Sequence, residues 1–208
     1  MSAAALGRSP VLEREQLILA SASPRREALL SLFTKDFLVV PSRVDEAADG
    51  PIEEGVVAVA RAKAREVATR RAGLILAADT IVEIDGDVLG KPESRDDARR
   101  MLERLSAREH RVLTGVYLLS TPTGEHRETC EVTMVSFRPL MEAEIDAYLE
   151  TGEHQDKAGA YAIQGHAAAF VAGIRGDFFN VMGLPLCRTV LLLREMGHEL
   201  LGPGGSRS

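Results

Sequence analysis

The chain has 208 residues, 45% hydrophobic and 27% charged, a globular composition with room for one good-sized α/β domain or two small ones. Aromatics at 4% with no tryptophan leave no stacking platform for single-stranded nucleic acid, and a net charge of −6 argues against a nucleic-acid or acidic-membrane binder. Any anionic ligand must then be met by a local cluster of lysine and arginine.

The first sixteen residues carry Arg8, Glu13, Arg14 and Glu15 and lack a continuous apolar core, so no signal peptide is visible. No apolar run approaches the ~18 residues of a membrane span. Cys130 and Cys187 have no metal-type spacing and read as reduced thiols. A cytoplasmic protein is expected, with residues 1–15 a flexible extension, 16–201 a single domain and 202–208 a flexible tail.

In chain order, "LILA" reads as a buried strand over about 17–21, followed by a helix over 23–33 with Ser23 as cap and Pro24 in its first turn. Arg25 and Arg26 come next. A helix N-terminus disfavours cations by roughly 0.3–1 kcal/mol each, so the pair is a local misfit. "FLVVPS" is a second strand, and "RVDEAADG", with Glu46, an acidic loop.

A long helix over 53–72 places Val56, Val59, Ala60 and Val67 on its core face. Lys63 falls on the same stripe, so the spacing aims it inward at a pocket rather than into solvent. "GLILAADTIVEIDGDVL" is a strand too apolar to be exposed, turning back at Asp85-Gly86. Asp79 lies in the middle of it beside Thr80. A buried carboxylate needs a cation or a metal, the alternative being backbone N–H groups at a bulge.

Lys91 closes the hairpin, and Ser94 with Asp97 caps a helix whose core face is Ala98, Met101, Leu102 and Leu105. Two long strands over 111–120 and 128–137 follow, then a helix over 141–151 ending at Gly152. A glycine-rich segment with Lys157 and Gln164 leads to a terminal helix over 185–197. The alternation predicts an α/β fold with a mixed sheet flanked by helices.

Arg25, Arg26, Lys63, Lys91 and Lys157, with the acids Asp79 and Glu46, suggest a pocket for a polyanion such as a nucleoside triphosphate. The free N–H groups of a helix N-terminus suit phosphate, which gives the two arginines a reason. Mg²⁺ or Mn²⁺ bridges carboxylates to phosphates, a role open to Asp79 and Glu46. A P-loop is excluded: Gly86 and Gly90 have three intervening residues, and Pro92 stands where a hydroxyl is required. The five histidines lack metal-ligand spacing and read mostly as surface residues, with His166 alone near the glycine-rich segment.

"SASPRR", "AADTIV", "GKP", "DKAGAYAIQG" and "NVMGLPL" occur in order, and together resemble the Maf family of nucleoside triphosphate pyrophosphatases over about residues 17–195. The resemblance implies an inosine-triphosphatase-like fold, a mixed central sheet with a cleft between two lobes. It also implies metal-dependent hydrolysis of a nucleoside triphosphate to monophosphate and pyrophosphate, and a homodimer. By position, Asp79 matches the proton acceptor and, with Glu46, the metal-binding acids. Arg25, Thr80 and Gln164 match positions tied to base specificity. Glu46, Lys63 and Lys91 match further active-site positions, and Ser21, Arg26 and Lys157 match phosphate-binding ones.

"SPRR" with "IQG" resembles the subgroup acting on dTTP and UTP, and modified pyrimidine nucleotides are a further expectation. The 7-methyl-GTP subgroup has a bulkier residue at the position of Arg25 and a glutamate at that of Gln164. Alanine replaces a common glycine in "AADT" and at Ala162, and His166 is atypical, with an expected effect on the pocket rim. The competing readings are a non-enzymatic nucleotide-binding regulator of cell division or septum formation and, disfavoured by charge, an RNA-binding domain.

Overall fold

The computed structural model describes residues 15–44 and 51–201. Glu46, most of the expected N-terminal extension and the expected tail lie outside the described residues.

Strand β1 (Leu17–Leu19) is wholly buried and runs parallel to both β2 (Phe37–Val39) and β3 (Leu74–Ile84). The long β3 pairs antiparallel with β5 (Glu109–Ser120), followed by β6 (His126–Phe137) and β7 (Val171–Arg175). The short β4 (Asp87–Leu89) folds back on the far end of β3. The order β2-β1-β3-β5-β6-β7 is the expected mixed sheet. Asp85 (φ 57°) and Gly86 (φ 84°) make the left-handed pair that a two-residue hairpin turn needs.

Alternation along β3 divides the molecule. Leu74, Leu76 and Ala78 pack with Leu17, Leu19, helix α1 (Pro24–Leu30) and helix α6 (Leu186–Glu195). Val82 and Ile84 project from the same face into a second cluster, with Leu102 and Leu105 of α3 (Arg95–Leu105) and Tyr148 of α4 (Glu142–Glu150). On the opposite face, Ile75 and Ala77 meet Ala60, Ala64 and Val67 of α2 (Ile52–Ala68). The two clusters on one face part at Thr80, and these are the two lobes.

The sheet parts at the same place. Along one edge of β3, β1 pairs with residues 74–76 and β4 with residues 82–84. Among the described residues, 77–81 have no strand neighbour on that edge. A crevice at such a switch point is where open α/β sheets take ligands. Opposite it, Asp79 faces Gly115 on β5. A Cβ on Gly115 would lie 2.5 Å from the Val56 carbonyl oxygen, so only glycine lets the first turns of α2 come this close.

Several local expectations change. The first helix ends at Leu30, the second at Ala68, and the last spans Leu186–Glu195. Ser94 caps α3, its Oγ accepting from the Asp97 N–H at 3.1 Å, but the Ser23 side chain caps nothing. The Ser23 N–H instead donates to Ser21 Oγ at 3.1 Å, because the tight turn brings that hydroxyl back onto the chain. The glycine-rich segment holds two 3₁₀ turns (Ala158–Ala160 and His166–Phe170) and the five-residue helix α5 (Phe178–Met182).

The reading of most histidines as surface residues fails, since His110, His154 and His198 are buried. His110 lies edge-on to Phe137 and Tyr161, and its Nε2 shares a 2.9 Å hydrogen bond with the Tyr161 hydroxyl. Burial pushes its pKa down to about 4, so it is neutral at physiological pH. No helix among the described residues is long and apolar enough to cross a membrane.

Candidate active site

The crevice is a cleft of about 450 Å³. Its floor comes from β3. Asp79 projects toward α2, whose stripe of small and β-branched residues lets Lys63 reach across, and Lys63 Nζ donates to Asp79 Oδ1 at 2.7 Å. Both side chains are 8% exposed. The inward lysine and the paired aspartate expected from spacing therefore meet each other.

The turn from β1 into α1 forms one wall, with Ser21, Arg25 and Arg26. Arg26 is held on three sides: Nε donates to the Gly183 carbonyl at 2.8 Å, Nη2 to Thr80 Oγ1 at 2.9 Å and Nη1 to Ser21 Oγ at 3.4 Å. Thr80, matched by resemblance to a base-specificity position, thus orients an arginine. Its Oγ1 also lies 3.0 Å from Thr114 Oγ1 on the neighbouring strand.

Loop 156–165 makes the facing wall, with Asp156, Lys157, Tyr161, Ala162 and Gln164 lining the cleft. Asp156 (φ 57°) and Ala160 (φ 61°) carry side chains in left-handed backbone, a strain tolerated where surroundings over-determine the conformation. One tie is the Gly159 N–H, which donates to the Gly90 carbonyl at 3.1 Å and so brings the loop beside Lys91. A Cβ on Gly159 (φ 65°) would crowd the Val82 side chain at 3.0 Å.

Partial burial lowers the Arg25 pKa, with Asp156 opposing. Burial and then Arg25 lower that of Lys157, opposed by Asp156 and Glu153. Two cations lining the cleft are thus partly stripped of water, an arrangement that a bound anion relieves. His166, atypical in the sequence, does not itself line the cleft; its Nδ1 pairs with Glu153 Oε2 at 3.0 Å.

Sequence reasoning missed the polar chain behind Thr80. Thr114 Oγ1 donates to the Asn180 carbonyl at 3.1 Å, and Asn180 Nδ2 donates to the Val112 carbonyl and to Thr133 Oγ1, both at 3.0 Å. These residues meet through strand register (Thr80 opposite Thr114, Val112 opposite Thr133), for which a single sequence offers no local signal. Among the described residues no group of three or more histidine, cysteine, aspartate or glutamate side chains could hold a metal.

A mixed central sheet with helices on both faces is the inosine-triphosphatase-like α/β fold. A HAM1 protein from Coxiella burnetii has this fold, with a TM-score of 0.50 and 18% identity, covering 86% of this chain and 98% of its own. The chain belongs to the Maf family: the Maf-like protein model matches residues 16–196. It is 51% identical to the dTTP/UTP pyrophosphatase of Thermococcus gammatolerans, over 89% of this chain and 98% of the relative. It is 50% identical to that of Symbiobacterium thermophilum, over 91% and 98%.

Proposed function

We propose that the chain hydrolyses dTTP and UTP to the monophosphate and pyrophosphate. The observation that carries this reading is the Asp79–Lys63 pair at the floor of a cleft walled by Arg25, Arg26, Lys91 and Lys157. In an acidic protein, so many cations around one buried carboxylate suit a triphosphate beside a proton acceptor. Relatives named for this activity support the substrate class.

In this reading the cationic walls hold the triphosphate, and Asp79, oriented by Lys63, accepts the proton of the water that attacks the α-phosphorus. Pyrophosphate leaves as charge develops on oxygens facing Lys91, Lys157 and Arg26. Gln164, an amide that both donates and accepts, pairs with the uracil or thymine edge, and Arg25 bears on which base is taken. The enzyme works as a cytoplasmic homodimer.

A divalent cation, Mg²⁺ or Mn²⁺, is the implied cofactor, and the donor chemistry fits it. Such ions are held by one or two carboxylates together with substrate phosphates, which Asp79 and a bound triphosphate would supply, with Glu46 the second candidate. When bound, the ion supplies charge neutralisation and polarises phosphoryl oxygens.

The test is pyrophosphate release from dTTP, UTP and the other canonical triphosphates, with Mg²⁺ and Mn²⁺ compared. Asp79→Asn, which keeps the shape of the side chain but removes its charge, is expected to lower turnover by about 10²–10⁴-fold, assayed below its own reduced Tm so that lost activity is read apart from lost stability. Activity in the wild type no higher than in this variant sinks the reading, and dTTP binding without turnover under any metal reassigns the chain to a nucleotide-binding regulator. Arg25→Ala is expected to change the ratio of rates between nucleotides; an equal loss on all of them would make Arg25 a phosphate ligand instead.

A further inference from the structure

Arg26 sits where α1 is electrically least favourable to it, so something must hold it against the cleft wall. Two of the acceptors that do so trace back to one short helix. Gly183, the left-handed cap of α5 (φ 112°), presents its carbonyl to Arg26 Nε. Asn180, on the same helix, presents its carbonyl to Thr114.

The shorter contacts along this path give one proton order, and a longer contact of 3.4 Å from Thr80 Oγ1 to the Gly183 carbonyl offers the Thr80 proton a second acceptor. Thr114 spends its hydroxyl proton on the Asn180 carbonyl, so in the 3.0 Å contact with Thr80 it accepts, and Thr80 donates. Thr80 Oγ1 is then left to accept from Arg26 Nη2. The chain runs Arg26 to Thr80 to Thr114 to the Asn180 carbonyl, each hydroxyl giving one proton and taking one. Thr114, Asn180 and Thr133 are wholly buried.

Five residues are too few to hold a helix by themselves. Asn180 docks α5 onto the sheet through Nδ2, while its Oδ1 is buried without a partner. An orphaned buried acceptor is costly, and an apolar side chain here would avoid that cost. The two Nδ2 hydrogen bonds, to Val112 on β5 and Thr133 on β6, account for the amide.

We propose that Thr114 and Asn180 are positioning residues that set the guanidinium plane of Arg26 for the phosphates of the substrate. This deepens the reading of Arg26 given above and rests on it. Their influence falls on phosphate binding and is blind to the base, unlike that of Arg25.

The decisive variant is Thr114→Val, isosteric and unable to pass the proton on. Calorimetric binding of inorganic pyrophosphate and KM for dTTP and UTP are both read. The expectation is a loss of about tenfold in each, equal for the two nucleotides, with Thr114→Ser restoring wild-type values. In an Arg26→Lys background Thr114→Val should have no further effect on either quantity. Pyrophosphate affinity within twofold of wild type in folded Thr114→Val, or an undiminished effect in the Arg26→Lys background, overturns the proposal. If Thr114→Val does not fold, Thr133→Val, one strand further from the cleft, is judged by the same two criteria. Pyrophosphate binding keeps the outcome separate from the assigned activity: a wild type that binds pyrophosphate yet hydrolyses neither dTTP nor UTP fails the functional reading alone.

Discussion

Two of the ion pairs made by helix α2 start from residues two apart. Arg61 reaches Glu128 on β6 at 2.8 Å, with side chains 38% and 35% exposed. Lys63 reaches Asp79 at 2.7 Å, both 8% exposed. The distances are alike, yet water surrounds one pair and the sheet and helix enclose the other. An exposed pair contributes about 0–1 kcal/mol, because solvent screens it and two long side chains lose freedom. A buried pair must offset the desolvation of both charges, so its net contribution is small while the loss of either partner is severe. The exposed pair is a surface detail, whereas the buried one, in the proposed reading, is held for chemistry.

The sharpest way to break this contrast is Lys63→Ala, which leaves Asp79 buried without its cation. A loss of about 3–5 kcal/mol is expected, read as a fall of roughly 10 °C or more in Tm. The double variant Lys63→Met, Asp79→Leu removes both charges and should recover most of that stability without turnover. Stability recovered together with activity would separate the pair from the chemistry.

His110 sharpens the contrast from another side, being buried with no charged partner and therefore kept neutral. Its pKa of about 4 in the folded chain lies below the ordinary 6.5, so between those values the unfolded chain binds the extra proton. The stability is present above pH 6.5 and lost as pH falls through 4, up to about 3 kcal/mol from this one group. His110→Phe should flatten that part of the Tm–pH curve; a curve unchanged by the substitution would assign the acid loss elsewhere. The smallest effect belongs to Glu128→Gln, expected to cost no more than about 1 kcal/mol and to vanish in high salt. A larger, salt-insensitive loss would mean that exposure does not decide the matter on this helix.

What the sequence made legible was whatever has a local period. Lys63 stands on the stripe of Val56 and Val59, and an inward lysine could be read from spacing alone. The same holds for the Asp85-Gly86 turn and for Asp79 within an apolar strand. Ser23 misled because its place in the chain suits a cap, while the hydroxyl that receives a backbone N–H in that turn is Ser21. His110 misled because a polar side chain on a strand looks solvated until the aromatic residues that enclose it, Phe137 and Tyr161, arrive from far along the chain. The polar path from Arg26 to Asn180 was invisible for the same reason, since strand register brings Thr80 to Thr114 and the docking of α1 and α5 on the sheet brings its two ends.

The two halves of the cleft also differ in how much chain each must close. Lys63 and Asp79 are 16 residues apart, within one helix-to-strand unit, whereas the contact of Arg26 with Gly183 spans 157. Short loops close at low entropic cost and long ones at higher cost, so local contacts form ahead of distant ones. On loop closure alone, the carboxylate and its lysine are expected to meet before Arg26 does Gly183, a contact that needs the last quarter of the chain to dock. A polypeptide interrupted before Gly183 would keep the Lys63–Asp79 pair and lose an acceptor of Arg26, so in the proposed reading competence to bind nucleotide becomes a report that the whole fold is finished.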